Sequence, residues 1–131
     1  DWMLRVCLVI EGVDPDVATK VLGVQPSSVT KVGDRLRSGA LANVSWWRLN
    51  SAESHDSSKA LADHLDEVFS AFGVGQTTLK VLAEVHPIGL SVHITLYGKG
   101  APDTHLDAEQ MRRLAGFNMS LDVDIIECAS N

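Results

Sequence analysis

The strongest constraint in this chain is an alternation of apolar side chains near its N-terminus. Leu4, Val6, Leu8 and Ile10 occupy every second position, with Met3, Arg5, Cys7 and Val9 between them. Residues two apart on an extended chain share one face, so this period fits a strand buried on one side and does not fit a helix. Such a strand must pair with others, and its apolar row must be covered by a second layer. Residues 90–98 repeat the pattern with Leu90, Val92, Ile94 and Leu96, and residues 121–125 with Leu121, Val123 and Ile125, turning Asp122 and Asp124 outward. Residues 44–50 read as a strand through Ser45-Trp46-Trp47-Arg48-Leu49. Residues 77–86 read as another, with Leu79, Val81, Ala83 and Val85 on one face and a hairpin at Pro87-Ile88-Gly89 leading into residues 90–98.

The covering layer is legible as helices. Asp14 is a good N-cap, Pro15 suits the first helical position, and Gly23 supplies a stop. The helix between them, Pro15 to Leu22, is expected to bury Val17, Val21 and Leu22. Leu61, Leu65, Val68, Phe69 and Phe72 form one stripe of a helix over about Ser58 to Phe72. A last helix starts at the cap Asp107 and stops at Gly116. The order β-α-β-α-β-β-α-β over residues 1–131 describes a single α+β domain. The nearest common plan is a ferredoxin-like α/β sandwich, with a largely antiparallel five-stranded sheet and helices on one face. Leu4, Val6, Leu8, Trp47, Leu49, Leu65, Phe69, Val81, Val92, Ile94 and Val123 are the expected core. The other sheet face stays open and carries Arg5, Cys7, Trp46, Arg48, Lys80, Glu84, Ser91, His93, Thr95, Tyr97, Asp122 and Asp124.

At 131 residues, 45% of them hydrophobic and 21% charged, the chain can bury a core without disulfides or metal. The net charge is −6, from 11 basic and 17 acidic residues, which argues against nucleic acid and against anionic membranes as partners. The first 50 residues sum to +1, residues 51–100 to −3 and residues 101–131 to −4. No run approaches the ~18 apolar residues of a membrane span. The opening Asp-Trp-Met-Leu-Arg has no secretory pattern, so a cytoplasmic location is expected.

No arrangement of residues announces a reaction. The five histidines, His55, His64, His86, His93 and His105, include no pair at a metal-ligand spacing, and no cofactor or metal is expected. No serine sits in a G-x-S-x-G elbow, and Cys7 in mid-strand reads as a small apolar filler. Two features stand out instead. Lys31, Arg35, Arg37 and Arg48, against Asp34, give residues 25–50 a charge of +3, enough to hold a carboxylate or phosphate. The second is the tryptophan pair. Neighbouring strand residues point to opposite faces, so Trp47, sharing a face with Leu49, belongs to the core. Trp46 then lies on the open face beside Arg48, with Tyr97, Arg5 and His93 as candidate neighbours, as a binding anchor would.

Leu22-Gly23-Val24-Gln25-Pro26-Ser27, then Gly33-Asp34, then Trp47-Arg48-Leu49-Asn50-Ser51, following a strand and an Asp-Pro helix start, form a pattern. It resembles the bacterial family catalogued as domain of unknown function 4279. The resemblance spans nearly the whole chain, including the late Leu-Asp-Ala-Glu helix. It implies a small α+β domain with no assigned activity, and no catalytic residues carry over from it.

The leading functional expectation is a non-catalytic protein-interaction module working through the open sheet face or the acidic C-terminal third. Neutralising a cationic partner, as immunity proteins do with toxins, is one form of this. Self-association as a homodimer is another. The alternative is a sensor domain for a small anionic ligand, held by Lys31, Arg35, Arg37 and Arg48. An enzyme with a dispersed site is a third reading, and the sequence offers it neither nucleophile nor base.

Overall fold

A computed structural model describes residues 1–73 and 77–128. The elements are β1 (Trp2–Glu11), α1 (Pro15–Leu22), β2 (Ser28–Thr30), β3 (Trp46–Asn50), α2 (Leu61–Ser70), α3 (Thr77–Val85), β4 (Ile88–Leu96), α4 (Ala108–Gly116) and β5 (Ser120–Glu127). The five strands form one sheet in the order β2-β3-β1-β4-β5. β1 lies at its centre, antiparallel to both β3 and β4, and β2 pairs antiparallel with β3. β5 runs parallel to β4, because the intervening chain crosses over through α4 instead of turning back as a hairpin. The fold is α+β with a mixed, mostly antiparallel sheet.

The alternation that defines β1 sets the core. Leu4, Val6, Leu8 and Ile10 are all fully buried and belong to one cluster with Trp47, Leu90 and Val92 from the neighbouring strands. All four helices add to that cluster: Ala18 from α1, Leu61, Leu65, Val68 and Phe69 from α2, Leu79 and Leu82 from α3, and Leu114 from α4. Phe117, just beyond α4, stacks on Phe69 with ring centroids 5.3 Å apart. The Trp47 indole donates from Nε1 to Thr19 Oγ1 at 3.0 Å, so its polar atom is satisfied inside the core. Helix starts follow their caps. Asp14 accepts from Asp16 N at 2.8 Å, Asp107 from Gln110 N at 2.8 Å, and Asp63 reaches back to Ala60 N at 2.8 Å.

Several expectations are corrected. Residues 77–85 are helix α3, not a strand of a hairpin, so Lys80 and Glu84 are absent from the sheet and Val81 is exposed. The fifth strand is instead β2, three residues between α1 and β3. In α1 the buried positions are Pro15 and Ala18, with Leu22 half-buried, while Val17 and Val21 face solvent. The Thr19–Trp47 bond and the small Ala18 turn that face of the helix to the sheet. Leu49 is only partly buried. Val123 is 53% exposed, as are Leu121 and Ile125 to similar degrees, because the helical layer stops short of edge strand β5. The pairing of β5 with β4 places Cys128 beside Leu96; Cys7 and Cys128 are both free thiols. Among the described residues no helix is long and apolar enough to cross a membrane.

Candidate functional site

The sheet face turned away from the helices is a shallow groove of about 620 Å³. Strand register fixes what meets there. Directly opposite residues form rows: Thr30, Trp46 and Glu11; then Ser28, Arg48, Val9, Gly89 and Ser120; then Asn50, Cys7, Ser91 and Asp122; then Arg5, His93 and Asp124. Small residues, Cys7, Gly89 and Ser91, occupy the middle, and the larger Trp46, Arg48, Arg5 and His93 surround them. That contrast in size makes the concavity. A methyl group on Gly89 would stand 2.8 Å from Ser120 Oγ, so only glycine leaves the floor open beside that serine.

The strand parity expected for the tryptophan pair is what forms. Trp47 is fully buried, and Trp46 is half-buried on the groove side. The Arg48 guanidinium lies over the Trp46 ring, 4.5 Å from its centroid. Among the described residues its only other polar contact is with Thr30 Oγ1 at 3.5 Å, and no carboxylate lies within ion-pair distance. Arg5 reaches Glu53 at 3.5 Å, while its Nε is buried without a partner among the described residues, as is Asn50 Oδ1. Burial pushes the Cys7 thiol up, outweighing the pull of Arg48 and Arg5, so it stays protonated. Burial, helped by Arg5 and opposed by Asp124 at 3.6 Å, holds the proton affinity of His93 below the usual imidazole value. The groove therefore presents hydrogen-bond donors and a flat ring, with no activated nucleophile beside a base.

The other residues expected at this site lie elsewhere. Tyr97 follows the end of β4, beside Asp1, Trp2 and His55. It is separated from Trp46 by ten residues of strand register, about 33 Å at ~3.3 Å per residue. Lys31 pairs with Asp16 of α1 at 2.6 Å, and Arg35 donates to Gly39 O at 3.0 Å within its own loop. Arg37 is exposed, and none of these three lines the groove. The positive charge of residues 25–50 is thus divided: Arg48 serves the sheet, and the rest belongs to the loop between β2 and β3.

One pair escaped the reading of the sequence. Ser51 and His64 are both buried, with Oγ and Nδ1 2.7 Å apart. Ser51 Oγ also accepts from Val6 N at 2.9 Å. Oγ has a second lone pair, so the contact forms with either tautomer; burial keeps the ring neutral, and Nε2 is buried with no partner among the described residues. Sealed from solvent, the pair meets no substrate; it ties β1, the end of β3 and α2 together. The available signal was His64 sitting within the Leu61, Leu65, Val68 stripe, three and four residues from its members.

No curated protein and no solved structure gives a significant match to this chain. One family model does match, over residues 3–127, which is nearly the whole of it. The chain belongs to the family described as domain of unknown function 4279.

Proposed function

We propose that this protein is a non-catalytic binding module whose open sheet face takes a small ligand carrying a carboxylate or phosphate beside a flat apolar group. The observation that carries this reading is Arg48, held against the Trp46 ring at the rim of the groove with no acidic partner among the described residues. A guanidinium placed this way offers a planar fork of donors to an oxyanion, and the indole offers a surface to the neighbouring ring. The groove volume of about 620 Å³ suits a small molecule, whose sites run from roughly 300 to 1,000 Å³. Arg5 and the neutral His93 supply further donors on the same face.

Calorimetric titration with benzoate and phenyl phosphate, against uncharged benzamide, tests this. The anions should bind at least about tenfold more tightly than the amide. Arg48→Ala should remove about that tenfold, the equivalent of one charge-assisted hydrogen bond of ~1.5 kcal/mol or more. The double variant Arg35→Ala, Arg37→Ala should leave binding unchanged. Loss of binding in the double variant, with Arg48→Ala silent, would move the site to the loop.

A further inference from the structure

β5 is the outer strand of the sheet, and among the described residues it pairs only with β4. Among the described residues, no other backbone group bonds to its outer edge. All eight of its residues are exposed. Over residues 121–125 its two faces differ sharply; beyond them Ile126 stands on the groove side and Glu127 on the core side. Leu121, Val123 and Ile125 stand opposite Leu90, Val92 and Ile94, on the side of the core, yet are 43%, 53% and 60% exposed. On the groove side stand Asp122 and Asp124, whose only close charged neighbour among the described residues is His93. His93 stays neutral around pH 7, so both carboxylates are uncompensated. A long, bare edge of this kind is a template for another strand unless something covers it.

We infer that the β5 edge receives an extended segment of a partner protein in which Lys or Arg alternates with Val, Ile or Leu. Added as the next strand, such a segment would complete the ladder of β5, extend the apolar row beside Leu121, Val123 and Ile125, and set its cations against Asp122 and Asp124. Charge chooses this partner over a second copy of the chain. Two β5 strands meeting antiparallel about a two-fold axis, with apolar rows matched, bring Asp122 opposite Asp124, or either residue opposite itself, in each centred register. Like charges directly opposite are destabilising. The same aspartates that repel a second copy attract a basic strand.

The test uses a fluorescein-labelled peptide of nine residues alternating Lys with Val and Ile, titrated into the whole protein by anisotropy at low salt. An acidic peptide with Glu in place of Lys, and the basic peptide with alternate amides N-methylated, serve as comparisons. The basic peptide should bind at least about tenfold more tightly than either. Asp122→Lys with Asp124→Lys, at exposed positions, should reverse the preference for charge, while circular dichroism stays that of the wild type. Arg48→Ala should leave peptide binding intact, which separates this edge from the groove. Equal binding of the basic and acidic peptides, no binding at all, or self-association abolished by Val123→Lys would each overturn the assignment.

Discussion

Trp47→Ala should lower the unfolding free energy by about 3–5 kcal/mol, the range for removing a large aromatic side chain from a core. The ring is fully buried, tilts against Phe72 at 6.2 Å between centroids, and holds α1 to the sheet through Thr19. A loss of this size takes away much of the stability of a marginal domain. Trp46→Ala, one residue away, should cost ~1 kcal/mol or less, because that ring lies on the open face and its main neighbour is the Arg48 side chain. Urea denaturation curves of the two variants make the comparison. Equal large losses would mean that Trp46 is covered within the monomer.

The second large effect is expected at His64. Removing the side chain with His64→Ala leaves a cavity and strips the Ser51 hydroxyl of its ring partner, for a combined loss of about 2–4 kcal/mol. The same residue makes stability depend on pH. Burial, reinforced by Lys59 and opposed by Glu67 and Asp63, holds its proton affinity below the ordinary value. In the unfolded chain the ring takes up a proton as pH falls through about 6.5, whereas in the folded chain it resists until lower pH. The unfolded state then binds more protons, so stability is full above ~6.5 and declines as pH falls below it. His93 acts in the same direction. Denaturation midpoints measured from pH 8 to pH 5 should fall, and the slope should be shallower in His64→Ala. A wild-type midpoint flat across that range would contradict the buried neutral ring.

What the sequence revealed follows from which physical signals are local. Period-two alternation at Leu4–Ile10 and Leu90–Leu96 located β1 and β4, and the same parity rule separated Trp46 from Trp47. It misled at residues 77–85, where Leu79, Val81, Ala83 and Val85 alternate as a strand would. Leu79 and Leu82, three apart, are also a helical pair, and Leu, Lys, Ala and Glu are strong helix formers, so the helix prevails. Alternation along β5 marked its apolar face but carried no information on whether a helix would reach over it. The charge count over residues 25–50 was correct as a sum. It could not show that Lys31 turns to Asp16, and Arg35 to its own loop, while Arg48 alone lies on the sheet. Ser51 and His64 are 13 residues apart, and only the packing of α2 on β1 brings them together.

The most direct test of the groove is to map the bound ligand by NMR. Backbone amide shifts of the labelled protein would be followed during titration with phenyl phosphate. The shifts should concentrate on Arg5, Cys7, Trp46, Arg48, Gly89 and Ser91, which lie on three adjacent strands and line one face. They should disappear in Arg48→Ala. Shifts confined to residues 31–37, or spread over the helical side with the open face silent, would contradict the assignment of this face as the binding site.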